Sequence, residues 1–126
     1  VNDSKATNIA ATDQALKNFN NIYWILGGRM KEKNLQKLKK HFFRIKHVFL
    51  LGETKFLYEK YLKKFLNCTI VKNLQEAVKL SYYFAKKETK KDSSSVVLLS
   101  PACSSLDEWR DFEERGNAFI NFVKKI

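Results

Sequence analysis

HVFLLGETKFLYEKYLKKFLNCTIV, residues 47–71, is the stretch that decides the fold. His47 to Leu51 is a short apolar run without the polar alternation of a half-exposed strand, so it reads as a strand buried on both faces. Thr54 is placed to cap the helix that follows, in which Tyr58, Tyr61, Leu62 and Phe65 fall at i, i+3, i+4 and i+7. Lys55, Glu59, Lys60, Lys63 and Lys64 take its opposite side. Cys68 to Val71 then reads as a second buried strand. Two buried strands joined by an amphipathic helix form the unit of a parallel sheet, because parallel neighbours need a crossover connection.

Working outward, the same alternation continues in both directions. Asn73 and Glu76 stand at capping-box spacing and open a helix with Leu74, Ala77, Val78, Ser81 and Ala85 along one stripe. Lys86 to Ser95 is charged and then serine-rich, a surface loop before the strand Ser95 to Leu99. The last helix is expected to place Trp109, Phe112, Gly116, Phe119 and Val123 on one stripe, with Gly116 admitting a neighbouring backbone. Toward the start, Ile22 to Leu26 reads as a strand and about Asn8 to Phe19 as a helix with Ile9, Thr12, Leu16 and Phe19 inward. Lys31 to Lys40 sets Leu35 and Leu38 at helical spacing among lysines, the solvated side of an amphipathic helix. The chain is therefore expected to be α/β, with a mainly parallel sheet flanked by helices, and 126 residues fit one domain with one core.

Composition narrows the function. Apolar runs such as Val48 to Leu51 and Val96 to Leu99 are far shorter than the roughly 20 residues that cross a bilayer. The start, Val-Asn-Asp-Ser-Lys, has no hydrophobic leader and reads as a cut end. Cys68 and Cys103 are too few for a disulfide framework and match no zinc or redox spacing, which suits a reducing, cytoplasmic setting. His41 and His47 have no nearby thiol or carboxylate cluster to complete a metal site. Lys and Arg total 24 against 13 acidic residues, a net charge of +11 and a pI near 9.7. Such a balance is the footprint of a nucleic-acid binder, and a basic nucleic-acid-binding α/β module is the alternative function. The lysines, however, sit on the outer sides of several separate helices, so neither nucleic acid nor membrane is the expected partner.

Three loops can hold an anion. Residues 2–8, Asn-Asp-Ser-Lys-Ala-Thr-Asn, lead into a helix, so that Thr7 or Asn8 caps free backbone N–H groups beside the charge of Lys5; the plain alternative is an ordinary N-cap. Residues 27–31, Gly-Gly-Arg-Met-Lys, follow a strand, where paired glycines permit close backbone approach at the carboxyl end of a sheet. Residues 100–108, Ser-Pro-Ala-Cys-Ser-Ser-Leu-Asp-Glu, follow the last strand, with Ser105 and Glu108 at capping-box spacing. Ser105 has neither a nucleophile elbow nor a triad around it, and Cys103 reads as a small buried residue. With glycine only at 27, 28, 52 and 116, neither G-x-x-x-x-G-K-[ST] nor G-x-G-x-x-G can be written. The chain has no nucleotide-phosphate loop of these kinds.

Asn-Asp-Ser-Lys-Ala-Thr-Asn at 2–8, with Leu-Ser-Pro-Ala-Cys-Ser-Ser-Leu-Asp at 99–107 continuing to Phe112-Glu113-Glu114-Arg115-Gly116, resembles the opening and closing signatures of the C-terminal domain of the Mur ligase family. The resemblance covers essentially the whole chain and implies a Rossmann-like domain of a larger ATP-dependent ligase of peptidoglycan synthesis. In that enzyme N-terminal and central domains absent here complete the molecule, and the central one supplies the phosphate loop, with ATP and Mg2+, and activates the carboxylate of UDP-N-acetylmuramoyl-L-alanine as an acyl phosphate. The domain read here would bring in D-glutamate, whose amine attacks. The resemblance further implies that Thr7, Lys31, Ser105 and the Leu106 backbone N–H hold the two carboxylates, that Phe112 lines the pocket with Lys5 beside it, and that Asp3 reaches the ATP ribose when the domain closes. It departs from the family pattern in Glu32 and Lys33 after Lys31, which leaves Lys33 as a second candidate for the lysine, in Asn34 where aspartate is common, and in Trp109 where phenylalanine is common.

Overall fold

Strands β1 (Ile22–Gly27), β2 (Ile45–Leu51), β3 (Cys68–Ile70) and β4 (Val96–Leu99) form one sheet in the order β3-β2-β1-β4, and every neighbouring pair is parallel. The computed structural model describes residues 1–4, 9–28, 35–88, 95–99 and 111–125. Helices α1 (Ile9–Leu16), α2 (Lys55–Leu62), α3 (Leu74–Glu88) and α4 (Phe112–Lys124), with a 3-10 helix at Gln36–Arg44, complete the described elements.

Strand residues alternate between two cores, as a period of two dictates. Ile22, Trp24, Leu26, Val48, Leu50 and Leu98 pack with Leu16 of α1, Leu38 of the 3-10 helix and Leu62 of α2. Tyr23, Ile25, Phe49, Leu51 and Leu99 face the other way, against Ala77 and Val78 of α3 and Phe119 of α4. The result is helix, sheet, helix in three layers, which is the parallel α/β arrangement read from the sequence. Each fully buried aliphatic side chain in these cores contributes about 1.5–3 kcal/mol.

Every residue of β1 is buried, as expected for the strand between two parallel neighbours. Burial on both faces fails at the sheet's flanks: β3 is half-buried throughout, and Val96 and Val97 of β4 are half-buried. Helix α3 matches its expected stripe, with Leu74, Ala77, Val78, Ser81 and Ala85 all buried. Asn73 Oδ1 accepts from the Glu76 N–H at 2.9 Å, while the Glu76 carboxylate accepts from the Lys72 N–H, one residue short of a reciprocal box.

Four local expectations are corrected. Residues 36–44 form a 3-10 helix in place of an α-helix, with Leu38, His41 and Phe42 buried on it. Thr54 makes no side-chain cap to α2. That helix also ends at Leu62, leaving Phe65 beyond it, 44% exposed and packed on Phe42 and Tyr61 with ring centroids 5.9 and 5.4 Å apart. On α4, Arg115 joins Gly116 and Phe119 in the buried stripe, whereas Val123 is 45% exposed. Its N-cap is Asp111, whose carboxylate accepts from the Glu114 N–H at 2.8 Å; Trp109 and the Ser105 and Glu108 pair lie outside the described residues.

Candidate functional site

The strand order places a switch point beside β1. From β1 the chain moves outward through β2 to β3, and then returns to lay β4 on the other side of β1. Ligands of open α/β sheets collect beyond the carboxyl ends of the strands at such a point. Gly27 ends β1 and Leu99 ends β4. Asn2 forms a parallel bridge with Leu99, the Leu99 N–H donates to the Val1 carbonyl at 2.9 Å, and the Asp3 N–H donates to the Leu99 carbonyl at 2.7 Å. All three loops singled out in the sequence therefore start from the same edge of the same two strands.

Lys5, Thr7, Lys31, Ser105 and Leu106, with Lys33 and Cys103, lie outside the described residues. Asp3 and Phe112 lie within them, and the fold brings the two together. With Asn2, Ser4, Glu113, Gly116 and Asn117 they line a cleft of ≈ 450 Å³ where the first residues meet the start of α4. Gly116 sits tightly in this meeting: a Cβ there would stand 3.0 Å from Asn2 Nδ2 and 3.2 Å from Ser4 Cβ. The close approach expected at Gly116 is thus made by side chains of the opening segment instead of by a backbone.

Two residues, Ser4 on this cleft and Arg115 bonded to it, were missed in the sequence. Arg115, 1% exposed, donates from Nε to Ser4 Oγ at 2.8 Å and from Nη2 to the Ser4 carbonyl at 2.7 Å. Ser4 Oγ donates in turn to the Phe112 carbonyl at 2.7 Å, and the Ser4 N–H donates to Asn2 Oδ1 at 3.1 Å. A signal for Arg115 did exist. It falls three residues after Phe112 and four before Phe119, so a cation stands on the core-facing stripe of an amphipathic helix.

A third missed residue is Thr54. Its hydroxyl accepts from the Gly28 N–H and donates to the Gly28 carbonyl, both at 3.3 Å, which ties the beginning of the 27–31 loop to the turn after β2. Gly27, at φ +130°, could not be otherwise: a Cβ would lie 2.0 Å from the Leu51 carbonyl oxygen.

Other reactive side chains stand apart from the cleft. His41 pairs with Asp13 at 2.8 Å, and His47 bonds Thr69 Oγ1 at 2.7 Å while stacked on Phe49. Burial pushes the His47 imidazole below its ordinary value, against an opposing pull from Glu88. Burial, with the charge of Glu59, raises the Cys68 thiol to about 11, so little thiolate exists at neutral pH. Among the described residues no grouping of three or more His, Cys, Asp or Glu side chains could hold a metal ion.

No family model matches the chain. It is 42% identical over 126 residues to the UDP-N-acetylmuramoylalanine–D-glutamate ligase of Wolbachia sp. subsp. Brugia malayi (strain TRS), covering 100% of this chain and 25% of that protein. The enzyme of the same name from Rickettsia bellii (strain RML369-C) is 39% identical over 125 residues, 99% of this chain and 27% of the relative. That of Rhodospirillum rubrum is 40% identical over 128 residues, 100% of this chain and 26% of the relative. The chain matches the C-terminal region of this ligase family. It spans about a quarter of the length of the curated relatives it matches. Similarity along the whole chain, together with the parallel α/β sheet, bears out the Mur ligase resemblance read from residues 2–8 and 99–116.

Proposed function

We propose that residues 1–126 form the amino-acid-binding domain of an ATP-dependent, cytoplasmic ligase that joins D-glutamate to UDP-N-acetylmuramoyl-L-alanine. The observation that carries the reading is the convergence of three loop origins on one sheet edge, with Asp3 and Phe112 on one cleft, in a chain similar to ligases of that name. In the described residues no helix is long and apolar enough to cross a membrane.

D-Glutamate carries two carboxylates and one amine, so a site must neutralise both acids while leaving the amine free to attack. In this reading Lys31 supplies an ammonium, Thr7 and Ser105 supply hydroxyls, and the Leu106 N–H supplies a main-chain donor, each bond to a carboxylate being charge-assisted. Lys5 adds positive charge beside them and Phe112 gives the pocket an apolar wall. Holding the amine against the activated carbonyl makes the encounter effectively unimolecular, an advantage that reaches about 7–11 kcal/mol when the geometry is right. The amine nitrogen then bonds to the carbonyl carbon, the carbon–oxygen bond to phosphate breaks, and the nitrogen loses a proton. Asp3, on the cleft rim, accepts hydrogen bonds from the ATP ribose once the domain closes. The Mg2+ that accompanies ATP is assigned to the remaining domains.

The test uses the complete ligase. Lys31→Ala and Ser105→Ala are each expected to raise the KM for D-glutamate about 10- to 100-fold, the loss of one bond to a charged group, with little change in the KM for UDP-N-acetylmuramoyl-L-alanine. An unchanged D-glutamate KM in both variants rejects the reading. Residues 1–126 alone are expected to turn over neither ATP nor D-glutamate, and a measured turnover counts against the assignment equally.

A further inference from the structure

The cluster formed by Ser4, Arg115 and the Phe112 carbonyl has a job that the ligand set above does not describe. A guanidinium is costly to bury unless its donors are satisfied, and an aliphatic side chain at position 115 would complete the stripe of α4 without that cost. What an aliphatic residue could not do is grip Ser4 at two points, hydroxyl and carbonyl, as Nε and Nη2 of Arg115 do at 2.8 and 2.7 Å. Ser4 is 4% exposed, and its hydroxyl is used twice, accepting from Arg115 and donating to the Phe112 carbonyl.

Ser4 stands at a junction. One residue before it, Asp3 is fastened to the end of β4 through the Leu99 carbonyl. One residue after it begins the stretch with Lys5 and Thr7. Consecutive Cα atoms are about 3.8 Å apart, so holding Ser4 limits where Asp3 can be. Resting on the proposed function, we infer that Arg115 is a positioning residue: through Ser4, whose hydroxyl also holds the Phe112 carbonyl, it sets the ATP-facing Asp3 and the amino-acid-facing Phe112 as one piece. Loss of the grip therefore weakens ATP and D-glutamate together, although Arg115 touches neither.

Ser4→Ala and Arg115→Lys in the complete ligase test this. The serine variant removes one hydroxyl and keeps the buried cation, so it guards against an arginine variant that does not fold. The lysine variant keeps the charge but loses the planar two-point fork. Both are expected to raise the KM for ATP and the KM for D-glutamate by about 10-fold each, with the KM for UDP-N-acetylmuramoyl-L-alanine unmoved. A merely structural role predicts a lower kcat from fewer active molecules with all three KM values unchanged, and that result overturns the inference. So does a rise confined to one ligand or shared by all three. Lys31→Ala measured alongside separates the two levels: if it raises the D-glutamate KM while Ser4→Ala moves nothing, only the role of Arg115 fails. If Lys31→Ala also moves nothing, the site assignment fails with it.

Discussion

Gly27 and Thr54 show how much of the site is set by single atoms. Any side chain at 27 meets the Leu51 carbonyl, and the backbone there is at φ +130°, which L-residues rarely adopt. Gly27→Ala is expected to cost more than about 3 kcal/mol from strain and overlap combined. Urea unfolding of the variant checks this, and a cost under about 1 kcal/mol contradicts the close approach. Thr54→Val keeps the shape and removes the hydroxyl from the buried Gly28 N–H and carbonyl. The expected loss is about 1–3 kcal/mol, largely restored in Thr54→Ser, as the unfolding midpoints of the pair report. Gly27 was recognisable beforehand as a tight-turn glycine. Thr54 was not, because a threonine just before a helix reads as its cap, and only the approach of Gly28 from 26 residues away gives the hydroxyl another use.

Among elements, the 3-10 helix is the instructive departure. Leu35 and Leu38 are three apart, a spacing that α and 3-10 helices share, so the pair alone could not choose between them. Beyond Leu38 both His41 and Phe42 are buried, at spacings of three and four, and His41 meets Asp13 of α1 at 2.8 Å, with Lys40 at 3.4 Å from the same carboxylate. Burial works against ionisation of Asp13, but the hydrogen bonds from His41 and Lys40, and their charges, hold its carboxyl below the usual value. A depressed carboxyl binds fewer protons folded than unfolded, so its stabilisation is present above about pH 3.9 and is lost as pH falls through the lower folded value. Asp13→Asn is expected to flatten that acid limb of the stability profile, read as unfolding midpoints from about pH 5 down to about pH 2. A limb that stays as steep in the variant assigns the acid sensitivity to another group.

For the whole molecule, charge and topology separate cleanly. Exposed lysines lie on the 3-10 helix (Lys37, Lys39, Lys40), on β2 (Lys46), around α2 (Lys60, Lys63, Lys64), on α3 (Lys79, Lys86, Lys87) and on α4 (Lys124), so the cations are spread over both helical layers. Dispersed charge attracts phosphate without reading it. Binding to DNA or RNA near physiological salt is expected to stay in the non-specific range of about 10⁻⁴ to 10⁻⁶ M and to weaken steeply with added salt. A gel shift showing sub-micromolar binding at that salt would favour the nucleic-acid alternative.

Local pattern by itself determined the strand and helix alternation, the buried stripe of α3 and the Ile9, Thr12 and Leu16 part of that of α1, which ends before the half-buried Phe19, and the order of the three loops, since period and turn chemistry are properties of neighbouring residues. Only the tertiary structure decided that β3 and β4 are half-covered, that residues 36–44 wind as a 3-10 helix, and that Arg115 closes on Ser4. Those outcomes depend on partners far along the chain, 111 residues apart for Arg115 and Ser4, and no periodicity encodes which distant hydroxyl a buried guanidinium will meet.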